Sequence, residues 1–93
     1  MVKHELVDAL VKAFPGITKH DMSTVVDTLF ESMAQALLEG EAVDLRGIGR
    51  FKIRERRPIR GRNPKTSISV YLPTRWVVHF KQAGSLSKRI NET

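Results

Sequence analysis

The sequence has 93 residues, a net charge of +6 and no cysteine. This length suits one domain with a small core, so oligomerisation is an expected supplement to its stability. The lack of cysteine excludes disulfides and thiolate metal sites and fits a reducing compartment. No apolar run approaches the ~18 residues that span a bilayer, and the first residues lack a signal-peptide pattern, so we expect a cytoplasmic protein.

The charge is distributed unevenly along the chain. Residues 1–45 carry three lysines and eight acids, a net charge of −5, whereas residues 46–93 carry thirteen cations and two acids, a net charge of +11. Most cations between Arg46 and Lys65 are arginines, which are preferred for phosphate recognition. A basic half of this kind is typical of chains that bind a polyanion, either nucleic acid or an anionic membrane. We therefore favour a polyanion site over a merely solvated surface.

The first two predicted elements are helices. Apolar residues at helical spacing predict one helix from about Lys3 to Phe14. A longer helix follows Thr18, whose hydroxyl suits the N-cap position, with Asp21 three residues later in the manner of a capping box. Gly40 is placed to end it. The apolar stripe of this second helix is wider than the first helix alone can cover, which indicates a further partner surface.

From Ala42 the apolar period changes from 3.6 to 2, which predicts strands. The predicted strands are Val43–Leu45, Phe51–Ile53, Ile68–Leu72 and Trp76–Phe80, with a tight turn at 47–49. Arg46, Arg50, Lys52 and Arg54 are expected on an outward face. Trp76 and Phe80 alternate with polar residues, which favours core packing. A short final helix is predicted from Ser85, as its N-cap, to Ile90.

Between Ile53 and Ile68 the only large apolar residue is Ile59, so this segment cannot build a core. Because strands flank it, we predict a two-stranded ribbon, the arm (residues 54–68). Arginines along such a ribbon can pair with phosphates on both sides of a groove. Pro64 offers a rigid apolar wedge that can enter a base step. Taken alone, Asn63-Pro64 is typical of an ordinary turn; within a basic arm, the wedge is favoured.

The whole chain resembles the HU and integration host factor proteins of bacterial nucleoids. The motifs that carry the resemblance are Glu39-Gly40-Glu41, Arg46-Gly47-Ile48-Gly49-Arg50-Phe51, Gly61-Arg62-Asn63-Pro64-Lys65-Thr66 and Val77-Val78-His79-Phe80-Lys81. Residues 39–51 and 79–81 look closer to the integration host factor branch than to typical HU.

The resemblance implies an α+β fold and an intertwined dimer. Its helical base would support a three-stranded antiparallel sheet saddle and two extended β-ribbon arms. Residues 1–93 would form a single domain, with a helical dimerisation part at 1–40, a sheet at 41–82 that includes the arm at 54–68, and a C-terminal helix at 84–91. The expected dimer core is Val25, Leu29, Phe30, Met33, Leu37, Leu45, Phe51 and Phe80.

The function implied is architectural. Such a protein binds the minor groove of double-stranded DNA and bends or compacts it in the nucleoid, with low or shape-based sequence preference. The expected DNA-binding residues are Arg46, Arg50, Lys52, Arg54, Arg56, Arg57, Arg60, Arg62, Asn63, Pro64, Lys65, Lys81 and Lys88. The partners are DNA and a second subunit, which is either a copy of this chain or a sister chain. We expect no catalytic residue, cofactor, small-molecule substrate or membrane. His4, His20 and His79 lack metal-ligand spacing, so no metal site is expected.

Several positions depart from the usual family pattern, and two alternative functions remain. The departures are Ile59-Arg60 in place of Arg-Thr before the arm tip, Ser67 in place of Gly, Val78 in place of Pro, and Gln82-Ala83-Gly84 in place of Pro-Gly-Lys. We therefore expect working arms and a weaker clamp on the flanking duplex. The alternatives are an RNA or single-strand binder, and a protein-assembly module whose basic half is incidental.

Overall fold

The computed structural model describes residues 1–62 and 68–92, which form three helices and five strands. In chain order these are α1 (Lys3–Ala13), α2 (Lys19–Leu38), β1 (Val43–Leu45), β2 (Gly49–Arg56), β3 (Ile59–Arg62), β4 (Ser69–Leu72), β5 (Arg75–Gln82) and α3 (Gly84–Asn91). The predicted α+β class is confirmed. By internal contacts the chain divides into two compact units, Met1–Ala36 and Leu37–Thr93.

The first unit has a small core between its two helices. Val7, Met22 and Val26 are buried, because the apolar stripes of α1 and α2 place them at helical spacing on facing surfaces. The start of α2 is fixed by its cap: the backbone N–H of Asp21 donates to Thr18 Oγ1 at 3.2 Å, as predicted. In the second unit, Gly40 follows the end of α2 with a φ of 81°, in the left-handed conformation that favours glycine.

The second unit is built on a three-stranded antiparallel sheet in the order β1-β2-β5, which confirms the predicted sheet. The turn between β1 and β2 is closed by the Ile48 N–H, which donates to the Leu45 carbonyl at 2.9 Å. Gly49 follows this turn and packs very closely on β5. A Cβ atom there would lie 2.5 Å from the Lys81 carbonyl oxygen and 2.6 Å from the Phe80 ring, so no larger residue fits without a shift.

The predicted arm, residues 54–68, differs from the structure at both ends: residues 54–56 still belong to β2 of the main sheet, and the separate ribbon of β3 and β4, called the arm from here on, extends to Leu72. The ladder between β2 and β5 ends at the pair Arg56 and Arg75, and a separate two-stranded sheet joins β3 to β4. Pro58 and Pro73 lie in the gaps between the two sheets, and proline has no N–H to continue a ladder. The predicted ribbon is therefore represented by the two paired strands β3 and β4. Its predicted tip, Asn63-Pro64-Lys65, and Ser67 lie outside the described residues.

The predicted cap of the last helix is wrong. The N-cap of α3 is Ala83, without a side-chain hydrogen bond, so Ser85 lies within the first turn. The reason is that β5 continues to Gln82, and the Ala83 N–H still donates to the Ile48 carbonyl at 2.9 Å. The Ser87 N–H then donates to the Ala83 carbonyl at 3.1 Å, so the helix begins directly where the strand ends.

Candidate nucleic-acid interface

The register of β2 and β5 sorts their side chains into two faces. Residues directly opposite each other in an antiparallel pair lie on the same face, and successive residues alternate. One face, called the basic face below, comprises Asp44, Arg50, Lys52, Arg54, Arg56, Arg75, Val77, His79 and Lys81. The other, the apolar face, comprises Phe51, Ile53, Glu55, Trp76, Val78 and Phe80.

The cations of the basic face form a continuous positive strip. All of its arginines and lysines are exposed. Along β2, every second residue from Arg50 to Arg56 is a cation, so their spacing is about 7 Å and the strip is about 20 Å long. On β5, Lys81 lies opposite Arg50 and Arg75 lies opposite Arg56. Such a strip concentrates positive potential on one side of the sheet.

The positive potential of this strip is opposed by few carboxylates in the described strands. Asp44 is the only carboxylate on the basic face of β1, β2 and β5, and it lies opposite Arg50. Glu55, the other acid in these strands, lies on the apolar face opposite Trp76. The alternation of β2 therefore separates its single acid from its cations, and the outward potential stays positive over most of the ladder.

The structure places the predicted DNA-binding residues unequally well. The predicted residues of β2 and Lys81 of β5 lie together on the basic face. Three others are exposed elsewhere: Arg46 in the turn after β1, Arg57 in the gap before β3, and Lys88 in α3. For Arg60 and Arg62 only the backbone is described, in β3. The basic face also contains Arg75, which the sequence analysis missed. Only the register, which sets it opposite Arg56, reveals its place.

The apolar surfaces are incompletely covered within the chain. Of the residues predicted for a dimer core, Val25, Leu29, Phe30 and Phe80 are 42–54% exposed, and the others are half-buried. Trp76 is 66% exposed, so the core packing expected for it is not found within one chain. On the apolar face, Phe51 and Phe80 contact each other with ring centroids 4.7 Å apart, which anchors β2 to β5.

The lysines at the helix starts of the first unit have carboxylate partners, whereas no ion pair joins a cation of the basic face to another described residue. Lys3 Nζ lies 2.6 Å from Asp27 Oδ1, and Lys19 Nζ lies 2.8 Å from Asp8 Oδ1. The hydrogen bond from Lys19 holds the pKa of Asp8 below its ordinary value, against an opposing effect of desolvation. Both pairs are exposed, so their contribution to stability is small.

The described residues 1–62 and 68–92 contain no cluster of three histidines or acids arranged to hold a metal ion. No helix among them combines the length and hydropathy needed to cross a bilayer.

Comparison with known proteins gives matches over almost the whole chain. Residues 1–91 match the family described as bacterial DNA-binding protein. Integration host factor subunit beta of Methylococcus capsulatus is 40% identical over 91 residues, covering 98% of this chain and 96% of that protein. The same subunit of Stutzerimonas stutzeri is 40% identical over 92 residues, covering 99% of each.

Solved structures match as well. A cocrystal structure of Anabaena HU with DNA superposes with a TM-score of 0.86 at 32% identity, covering 100% of both chains. A mutant of Thermotoga maritima HU gives a TM-score of 0.68 at 27% identity, covering 97% of this chain and 99% of that one.

Proposed function

The chain belongs to the bacterial DNA-binding protein family that includes HU and integration host factor, and from this premise we propose that its basic face and arm bind the minor groove of double-stranded DNA and bend it. It is an architectural DNA-binding protein and not an enzyme. The observation that carries the proposal is the exposed strip of cations along β2 and β5. Its site of action is then the bacterial nucleoid.

Binding energy comes mainly from phosphate neutralisation and the release of counterions. The strip holds the sugar–phosphate backbone, and the arm, with Arg60, Arg62 and Asn63, follows the groove. Pro64 enters a base step and kinks the duplex, because its ring is an apolar wedge without an N–H to leave unsatisfied. Preference, where it exists, arises from A·T-rich minor grooves and flexible pyrimidine–purine steps.

The functional unit is a dimer. The apolar face and the exposed side of α2, with Val25, Leu29 and Phe30, present apolar area that water covers poorly. A second subunit of the same family, either another copy or a sister chain, has a matching surface and would bury both. The dimer then presents two basic faces and two arms to one duplex. Light scattering on the purified chain, alone and with a coexpressed sister chain, separates the two kinds of dimer.

The first test is the salt dependence of DNA affinity. If the dimer neutralises about 6–10 phosphates, affinity falls by roughly 10³–10⁵ between about 50 and 200 mM salt. A fluorescently labelled A·T-rich duplex measures this in a direct titration. A flat response would contradict the proposal and would favour the assembly module, which also predicts unchanged partner binding after alanine substitution of Arg62, Asn63 and Pro64.

The second test separates bending from binding. Energy transfer between dyes at the two ends of the duplex reports the bend. We expect Pro64→Ala to lose most of the bend, whereas Gln82→Ala, on the flank side, leaves the bend unchanged. The reverse result would contradict the assignment of the wedge.

The same titrations distinguish duplex DNA from other nucleic acids. Stacking on single strands needs aromatic rings beside the cations. Trp76 and Phe80 lie on the opposite face of the sheet, and Tyr71, opposite Arg60, is the single aromatic residue of β3 and β4. We therefore expect duplex DNA to outcompete duplex RNA and single strands. Preference for a single strand would favour the alternative function.

A further inference from the structure

The pair formed by Arg56 and Arg75 marks the root of the arm. It is the last rung between β2 and β5, and the next rung beyond it, Ile59 opposite Leu72, already belongs to the separate arm sheet. On each strand two residues, one of them a proline, fill the gap. Because neither proline donates a ladder hydrogen bond, backbone pairing across the gap is weakened. Side-chain interactions at this last rung therefore matter for how the arm is held.

Those interactions are repulsive in the free chain. Side chains directly opposite in an antiparallel pair have Cβ atoms about 4.5–5.5 Å apart, and like charges there are destabilising. Neither guanidinium has an ion-pair partner among the described residues. Glu55 lies on the other face, and Asp44 lies opposite Arg50, about 20 Å away along the strand. The two cations thus lack a counter-charge near the root.

We propose that Arg56 and Arg75 together bind a single backbone phosphate of the DNA at the root of the arm. This inference rests on the proposed DNA-binding function and adds Arg75 to it. A phosphate between the two guanidinium groups converts repulsion into two attractive contacts, and each planar fork can donate two hydrogen bonds to phosphate oxygens. The bound phosphate links β2 to β5 where the ladder ends, so DNA itself steadies the base of the arm.

The neighbouring cation Arg54 shows what an ordinary contact would look like. It lies on the same strand and the same face, but its cross-strand partner is Val77. A phosphate at Arg54 therefore meets one guanidinium, whereas a phosphate at the root meets two. The difference is measurable, because the slope of log affinity against log salt counts neutralised phosphates and not cations.

The experiment is a double-mutant cycle on DNA affinity and its salt slope. We expect Arg56→Gln and Arg75→Gln each to lower affinity about tenfold, the loss of one charged hydrogen-bonding group, but to leave the slope nearly unchanged, because the remaining guanidinium still neutralises the phosphate. Only the double variant is expected to lose the phosphate contact itself, so its slope falls by about one for each subunit. In the control cycle, Arg54→Gln and Lys81→Gln lie on separate rungs, so their losses are expected to multiply and their slope changes to add.

A second variant tests the geometry of the site. Arg75→Lys keeps the charge but lacks the planar fork, so we expect an unchanged slope with reduced affinity. Fluorescence of Trp76, the only tryptophan and the neighbour of Arg75, together with thermal melting, checks that each variant is folded.

A slope that falls by about one for each subunit in both single variants and by about two in the double variant would overturn the shared phosphate, as would wild-type affinity in Arg75→Lys. Both results leave wild-type binding and bending intact. By contrast, failure of the proposed function appears as a flat salt response or an absent bend in the wild type.

Discussion

The two faces of the ladder between β2 and β5 differ in what can cover them. On the basic face, exposed cations are well solvated by water, and a polyanion that replaces this water gains from released counterions. On the apolar face, Phe80, Val78 and Trp76 are 42%, 55% and 66% exposed. Water is a poor partner for these side chains, and another protein surface is a good one.

One strand register serves both faces. Since successive side chains alternate, a slip of one residue would move the cations of β2 into the apolar face and its apolar residues outward. The close approach of Gly49 to β5 and the contact between Phe51 and Phe80 oppose such a slip. The proposed contacts with DNA and with a second subunit would therefore both depend on the same strand pairing, although they use its opposite faces.

The largest effect is expected from breaking the apolar face. Phe80→Ala removes the ring that contacts Phe51 and leaves a void in the proposed dimer, so we expect the free energy of unfolding to fall by about 3–5 kcal/mol. Urea denaturation at several protein concentrations measures this loss and its dependence on association. Lys81→Ala, one residue along on the basic face, is the matched control. A loss below about 1 kcal/mol for Phe80→Ala would mean that this face is not covered in the native assembly.

The next effect is expected from breaking the basic face alone. The double substitution Lys52→Gln with Arg54→Gln removes two exposed cations from separate rungs. We expect the salt slope of DNA affinity to fall by about two for each subunit, with a change in unfolding free energy within roughly 0.5 kcal/mol. DNA titrations at several salt concentrations measure the slope, and urea denaturation of the same variant measures the unfolding free energy. A large loss of stability with an unchanged slope would reverse the roles of the two faces.

Local patterns in the sequence predict most of this architecture. The helical period, the Thr18 cap and Gly40 locate α1 and α2, and the alternation after Ala42 locates the strands with their outward cations. These features depend on neighbours within a few residues, so a single sequence contains them. The predicted cap of α3, Ser85, is wrong because the start of this helix depends on a turn that is distant in sequence. The Ile48 carbonyl of that turn accepts a hydrogen bond from the Ala83 N–H, and α3 begins directly after Ala83.

Arg75 was missed for a similar reason. The predicted DNA-binding cations are those of the dense run from Arg46 to Lys65, together with Lys81 and Lys88 beyond the arm, and Arg75 stands alone between these groups. Its importance comes from lying opposite Arg56, a pairing between strands that the whole arm separates in sequence. Register between such strands is set by packing of the apolar face, at Phe51 and Phe80, and not by any local pattern.

A smaller effect is expected from a substitution that lowers the stability of the fold without changing the charge of the basic face. Thr18→Ala removes the cap of α2 and lies on neither face of the sheet, so we expect a loss of about 1 kcal/mol in unfolding free energy. Under conditions where the variant is fully folded, its salt slope of DNA affinity should equal that of the wild type. Thr18→Ser, which keeps the hydroxyl, is the control. A reduced slope in Thr18→Ala would show that loss of stability alone imitates loss of the basic face.

The smallest effect concerns a cation that already has a carboxylate partner, in contrast to those on the basic face. Lys19 lowers the pKa of Asp8 from its ordinary value of 3.8, chiefly by a hydrogen bond, so this pair stabilises the fold above that pH and stops doing so as the pH falls through the lowered pKa. We expect Lys19→Met to raise the pKa of Asp8 towards 3.8, as followed by NMR titration of its carboxyl group. Lys12→Met is the control, because Lys12 lowers the pKa of Asp8 more weakly and only through its charge, without a hydrogen bond. Equal shifts in the two variants would show that the general field of nearby lysines, and not the contact with Lys19, sets this pKa.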